Sequence, residues 1–390
     1  MHYQVRLLAL IRILRMCMIT MPVIVLYWQS HGLEMKDIFI LQVIFSIGVV
    51  IFEVPSGYFA DRFGHRTSII IGCMCGTLGF FLYYALPSYI GFILAELTLA
   101  LGTSFMSGAR EALLYDTLEV YKEESLYTKI QGRQSAFGNI SEAVAAIAAG
   151  IVVWYSSIAT VMLLQWLIIG LTIPLAFALT EVHSRKNADT PKLRTIIRQA
   201  LHENTSLRYL NILAGAISAA TLTIVWFSQP HWESLGVPVL YFGYLWAALN
   251  VCTALGSLVA HSLSERLTIQ SLFGILSSLP FVLYLLTSYF AENLLVLLII
   301  PFFWILRGVA TPIIQDYVQQ ACKANERATV LSINALSSRL VFSICSPFLG
   351  WIADVWNFQT AFLASGLIYG AIALIGYAGF VLNIQHTKKT

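Results

Sequence analysis

Residues 37–66 read DIFILQVIFSIGVVIFEVPSGYFADRFGHR. From Ile38 to Ala60 the only charged side chain is Glu53, after which Asp61, Arg62, His65 and Arg66 arrive together. An apolar run of about 20 residues is what a helix needs to cross a hydrocarbon layer of roughly 30 Å. Strands of a membrane barrel would instead alternate apolar and polar residues in short segments of about 10 positions. Unbroken apolarity that ends in an abrupt charged turn therefore predicts a membrane-crossing helix stopping at the water boundary.

The same pattern repeats along the chain. Apolar runs are predicted to cross the membrane at 7–30, 37–60, 67–87, 89–116, 133–154, 158–180, 207–231, 239–262, 268–289, 293–318, 328–352 and 358–382. Composition agrees: 58% of residues are hydrophobic and 11% charged, where a soluble globule carries about 25% charged residues, so most of the chain faces something other than water. With the N-terminus in the cytoplasm, the inside loops collect Arg6, Arg62, Arg66, Lys129, Arg185, Lys192 and further basic residues, while the outside loops receive only Lys36. Both termini are thus expected in the cytoplasm. The net charge of +3 is a topology signal, and no aromatic-interleaved basic patch calls for a nucleic-acid partner.

Arg6 before an apolar run resembles the start of a signal peptide. The run continues to Tyr27 and Trp28 with no small-residue cleavage site, so it is read as a retained first span. Cys17, Cys73, Cys75, Cys252, Cys322 and Cys345 fall in spans or on the predicted cytoplasmic side, with no metal-ligand spacing, and are read as packing residues. Neither a metal nor a cofactor is expected.

The longest polar segment lies near the midpoint and divides the chain into a six-span bundle at 1–181, a cytoplasmic central loop at 182–206 and a second six-span bundle at 207–390. Lys192–Glu203 reads either as a basic amphipathic helix on the anionic membrane surface or as a solvated linker. An offset of 200 residues superimposes Gln29 on Gln229, His31 on His231, Arg66 on Arg266, Gly108 on Gly308, Asp116 on Asp316 and Gly150 on Gly350. Each pair falls at the same place in its own half, as two parallel repeats about an axis along the membrane normal require. The expected fold class is an all-α membrane protein with twelve transmembrane helices in two pseudo-symmetric six-helix bundles.

The turn after the second span, Gly57-Tyr58-Phe59-Ala60-Asp61-Arg62-Phe63-Gly64-His65-Arg66, resembles the loop signature of the major facilitator superfamily: a glycine, Asp-Arg, then a glycine followed by basic residues. Ser107-Gly108-Ala109-Arg110-Glu111-Ala112-Leu113-Leu114-Tyr115-Asp116 looks like a span-four segment of bacterial exporter-like members. Span five, Gly138 to Gly150, keeps small residues suited to close helix packing but lacks the Gly-Pro dipeptide of drug/proton antiporters. Sugar-porter signatures are missing. The resemblance implies a secondary transporter working by alternating access, with a small-molecule substrate, in a bacterial inner membrane, as a monomer. It also implies that Gly57, Asp61, Arg62, Gly64, Arg66 and Asp116 form a gating loop that latches the cytoplasmic side. In physical terms Gly57 would admit a neighbouring helix, Gly64 a tight reversal, Asp61 would sit on a helix N-terminus, and Arg62 and Arg66 would reach carboxylates or lipid phosphates.

Ionisable groups at membrane depth cost about 2.5 to 3.5 kcal/mol each on insertion scales, so each needs a purpose or a partner. Glu142, near the middle of span five, is a candidate to bind and release a proton, weighed against a static hydrogen bond or ion pair; Glu96 and Glu111 in span four are others, the first weighed against reaching the outer interface and the second against a buried network. Arg307 and Arg339 match carboxylates or phosphates, and with Trp226, Gln229 and Trp304 they are the candidate substrate contacts, against the alternatives of protein acids and interfacial aromatic belts. Arg12 and Arg15, one helical turn apart, are expected to join Glu53, Arg110 and Glu111 in a buried network. The expected function is proton-coupled export of a small amphipathic or anionic molecule; the alternative is proton-linked uptake of a small polar metabolite. No nucleophile and base share a face, so an enzyme is not expected.

Overall fold

Lipid offers the backbone no hydrogen-bond partner, so apolar runs must bond internally as helices. The computed structural model describes residues 3–182, 205–320 and 327–387, and all the regular elements among them are helical. They are α1 (Tyr3–Met16), α2 (Ile24–Ser30), α3 (Met35–Phe63), α4 (His65–Ala85), α5 (Tyr89–Met106), α6 (Ala109–Val120), α7 (Tyr127–Tyr155), α8 (Ile158–Gly170), α9 (Thr172–Phe177), α10 (Thr205–Ser234), α11 (Leu240–Arg266), α12 (Ile269–Tyr289), the short α13 (Val296–Ile299), α14 (Pro301–Gln320), α15 (Arg327–Val355) and α16 (Phe358–Thr387). Eleven helical stretches among the described residues are long and apolar enough to cross a membrane. Most of the central loop, residues 183–204, lies outside the described residues, and with it the expected amphipathic segment Lys192–Glu203.

The first expected span is not one helix. It divides into α1 and α2, of 14 and 7 residues, with non-helical chain from Cys17 to Val23. Pro22 has no N–H to give and turns Met21 away from helical geometry. The freed backbone closes in tight turns, Met18 N–H to the Met16 carbonyl at 2.8 Å and Val23 N–H to the Thr20 carbonyl at 3.0 Å. Thr20 N–H donates to Gln165 Oε1 of α8 at 3.3 Å, with Gln165 fully buried. The fourth expected span is broken as well. Gly108, at φ +75°, separates α5 from α6 in the left-handed region that an L side chain avoids.

The chain divides into two compact units. The first holds Met1–Leu33, Leu41–Ala188 and Val237–Ala247; the second holds Glu34–Ile40, Asp189–Gly236 and Ala248–Thr390. In the first, Leu7, Leu8 and Ile11 of α1 pack with Ile69 and Cys73 of α4 and Leu113, Leu114 and Leu118 of α6. A second cluster joins Val23 to Ala145, Ala149 and Val161. The opening turns of α11 reach α7 closely, since a Cβ on Gly243 would strike the Ala146 carbonyl and one on Gly150 the Leu240 carbonyl. Small residues at both positions are what allow the crossing.

In the second unit α10 is buried on every side, as a helix apolar all round should be. Its Thr223 hydroxyl bonds the Tyr369 hydroxyl at 2.7 Å, and its Ala220 carbonyl accepts from Tyr284 Oη at 2.7 Å. Phe39, from the first turn of α3, meets Phe227 edge-on at 5.0 Å. That turn is capped by Asp354 of α15, whose two carboxylate oxygens accept from the Met35 and Lys36 backbone N–H groups, both at 2.8 Å.

Gln165→Leu is expected to lower the thermal midpoint of the detergent-solubilised protein, because a buried backbone N–H left without an acceptor costs about 1–3 kcal/mol. An unchanged midpoint would mean that the α1–α2 break does not depend on this side chain.

Candidate functional site

The signature turn is organised around a residue outside it. Gly64 takes φ +97° and hands the chain to α4, whose first N–H groups face back over the turn. Glu181 fills that position: its carboxylate accepts from His65 N–H at 2.9 Å and Arg66 N–H at 2.8 Å. A carboxylate on the first turn satisfies orphan donors and meets the positive end of the helix dipole. Glu181 is steadied by its neighbour Thr180, whose backbone N–H donates to Gln4 Oε1 at 3.0 Å while Gln4 Nε2 donates to the Thr180 carbonyl at 2.6 Å. Arg66 adds a bond from Nη2 to the Phe177 carbonyl at 2.9 Å, and His65 Nε2 lies 3.7 Å from the buried Asp116 carboxylate.

Gly64, Arg66 and Asp116 therefore gather about Glu181 and His65. Gly57, Asp61 and Arg62 do not. Arg62 reaches the Tyr58 hydroxyl at 3.4 Å, Asp61 is exposed, and a Cβ on Gly57 would meet open space. The carboxylate that sits on a helix N-terminus here is Glu181, and the helix contact expected at Gly57 is not made. Sequence reading passed over Glu181 because its role depends on a pairing across more than a hundred residues.

Each acidic candidate within the spans has a defined setting. Glu96 is enclosed in the first unit: Oε1 accepts from Tyr83 Oη at 2.5 Å and from Gln42 Nε2 at 3.0 Å. Tyr83 is in turn tied through its carbonyl to Tyr27 Oη at 2.8 Å. Glu142 is half-buried on α7 and accepts from Trp246 Nε1 at 3.4 Å. Glu111 pairs with Arg110, which also donates to Gln134 Oε1 at 3.1 Å, while Arg12 Nη2 donates to Ser135 Oγ at 2.8 Å. Of the expected network of Arg12, Arg15, Glu53, Arg110 and Glu111, Arg12, Arg110 and Glu111 find partners and recruit Gln134 and Ser135 from α7, whereas the exposed Glu53 stays outside and Arg15 forms no bond among the described residues.

The substrate candidates all belong to the second unit. Trp226 and Gln229 are buried on α10 and Trp304 on α14; Arg339 is half-buried on α15 and Arg307 exposed on α14. His231 is a packing residue, its Nε2 on the Ala291 carbonyl at 2.7 Å and its ring against Phe362. Among the described residues no group of three His, Cys, Asp or Glu side chains is placed to hold a metal ion.

Apolar helices with charges drawn into internal pairs and caps define an integral membrane protein. Residues 8–344 match the family model described as Major Facilitator Superfamily, and the chain belongs to that family of transporters; it is not an enzyme. It is 24% identical over 351 residues to an uncharacterized MFS-type transporter, YxaM of Bacillus subtilis (strain 168), covering 84% of this chain and 85% of that protein. The fold is shared with the nucleoside transporter NupG, at a TM-score of 0.81 and 13% identity over 97% of this chain and 99% of that one. A bacterial homolog of the human lysosomal transporter Spinster, in its inward-facing and unoccupied conformation, superposes at 0.72 with 14% identity over 97% and 96%.

Gly64→Ala places a Cβ within 2.6 Å of the Glu181 carboxyl carbon and forces alanine into a left-handed backbone, so it should cost about 1–3 kcal/mol. Glu181→Ala should cost about 1 kcal/mol through loss of the cap. Because the first change evicts the second residue, the double variant should fall short of the sum in thermal unfolding; full additivity would show that turn and cap are independent.

Proposed function

We propose that this transporter exports a small amphipathic or anionic molecule in exchange for protons, by alternating access between two six-helix bundles with twelve crossings. On this reading it is a drug-exporter-like monomer of a bacterial inner membrane, with both termini and the 182–206 segment in the cytoplasm. The observation that carries it is the enclosed carboxyl of Glu96. It is held by two neutral donors, Tyr83 and Gln42, with no described cation bonded to it. A carboxyl so placed is a poor structural ion-pair partner and a good proton acceptor, since neutral hydrogen bonds hold the protonated form as well as the charged one. Glu142, close to Trp246, is the second proton candidate and Glu111, already paired, the weakest.

Alternating access also needs contacts that can be made and broken. The two carboxylate caps, Glu181 on α4 and Asp354 on α3, are such contacts: each holds backbone N–H groups that water satisfies equally well on release. Gly57, Asp61, Arg62, Gly64, Arg66 and Asp116 act in gating, with the exposed Asp61 and Arg62 facing lipid phosphates or loops. Arg307, Arg339, Trp226, Gln229 and Trp304 contribute substrate contacts from the second unit.

Proteoliposomes with an imposed pH gradient test both direction and coupling. Wild-type protein should accumulate an amphipathic anion against its gradient when protons flow the opposite way. Glu96→Gln should abolish that accumulation yet retain downhill substrate exchange. Accumulation undiminished in Glu96→Gln and lost in Glu142→Gln would move the proton site to α7; movement of substrate and protons in the same direction would make the protein an uptake carrier.

A further inference from the structure

The first unit contains a cavity of about 290 Å³ lined by Arg15, Thr103, Ser107, Gly108, Arg110 and Glu111. Arg15 and Thr103 also line an adjoining cavity of about 130 Å³ that reaches Met18. The α1–α2 and α5–α6 interruptions both border this space, since Met18 lies in the first and Ser107–Gly108 in the second. Non-helical backbone is tolerated at membrane depth where it is buried in protein or lines a cavity, and broken helices are how membrane carriers expose polar groups to a ligand.

The charges around the cavity do not balance. Glu111 and Gln134 take the two described bonds of Arg110, and Ser135 takes that of Arg12. Arg15 forms no hydrogen bond or ion pair among the described residues, and its guanidinium is left to the cavity. Among the described residues, Glu111 is the one carboxylate bonded within the group of Arg12, Arg15 and Arg110. α6 begins at the same wall with no side-chain cap, adding the positive end of its dipole. A half-buried guanidinium that bonds no protein carboxylate has donors to offer, and an oxyanion is its natural complement through paired hydrogen bonds.

We propose that this cavity is an anion-binding subsite in the N-terminal unit, in which Arg15, supported by Arg110, takes a carboxylate or phosphate group. The inference deepens the proposed export of a small anionic molecule and places its charged end in the first unit, apart from Arg307 and Arg339. Arg110 is fixed by Gln134 and Glu111 and sets the field; Arg15, the residue without a protein acceptor, makes the contact. Thr103 and Ser107 supply hydroxyl donors on the same wall.

Thermal unfolding of the purified protein in detergent tests this at constant ionic strength, with benzoate, inorganic phosphate or chloride added, and in a separate arm with anionic phospholipid. Binding to the folded state raises the midpoint by mass action. Benzoate or phosphate should raise the wild-type midpoint above that in chloride, and the rise should vanish in Arg15→Gln, persist when the exposed Arg266 is changed (Arg266→Ala) and be partly restored by Arg15→Lys. Without an anion, Arg15→Gln should be at least as stable as wild type, because no protein partner is lost. Three results would overturn the proposal: an Arg15→Gln protein less stable without anion, an equal response of Arg15→Gln and wild type, or a response to anionic phospholipid alone, which would make the cavity a lipid headgroup site. The two readings fail separately. Arg15-dependent stabilisation without any pH-driven transport sinks the export reading and leaves the subsite; transport of a neutral substrate with no anion response does the reverse.

Discussion

A backbone in lipid has nothing to bond to but itself, and the rest of this molecule follows from that constraint. Every unsatisfied N–H or C=O in hydrocarbon costs several kcal/mol, roughly as much as one buried side chain contributes. The helices supply that satisfaction along their length, and what remains open is confined to their ends and breaks. Three of these have named side-chain partners. Gln165 answers Thr20 where α1 gives way to α2, Glu181 answers the start of α4, and Asp354 answers the start of α3.

Polar groups within the first unit sort into three neighbourhoods with different chemistry. Around Glu96 the partners are neutral, a phenol and an amide, so the carboxyl is free to exist in either protonation state. Around Glu181 the partners are backbone donors and Arg66 is spent on the Phe177 carbonyl, a mechanical arrangement. Around Arg15 the cations outnumber the acids and a cavity takes the place of a partner. The three neighbourhoods thus rest on separate residues of the unit.

Close approach of helices in lipid depends on small residues, since apolar side chains have no reason to prefer each other over lipid tails. Gly150 and Gly243 allow α7 and the start of α11 to touch backbone to backbone, and Gly256 and Gly308 do the same for α11 and α14 in the second unit. The repeat that superimposes Gly108 on Gly308 does not carry the same role in both places. Gly108 breaks a helix at positive φ, whereas Gly308 lies within α14 and makes room for the Thr253 carbonyl.

By itself the sequence determined the helical class, the membrane setting, the family and the position of nearly every span, because these follow from run length, charge spacing and one loop motif, all local quantities. It also named Gly64, Arg66 and Asp116, which the fold gathers at one turn, and placed Arg12, Arg15, Glu53, Arg110 and Glu111 in one network, from which Glu53 and Arg15 are left out among the described bonds. Only the tertiary structure decided that the first span is broken, since Pro22 permits a break but Gln165, far along the chain, holds it open. It likewise replaced Asp61 by Glu181 on the helix end and left Arg15 facing a cavity. Caps, acceptors and cavities are relations between residues distant in sequence, and the energy of a buried polar group depends on which partner the fold brings to it.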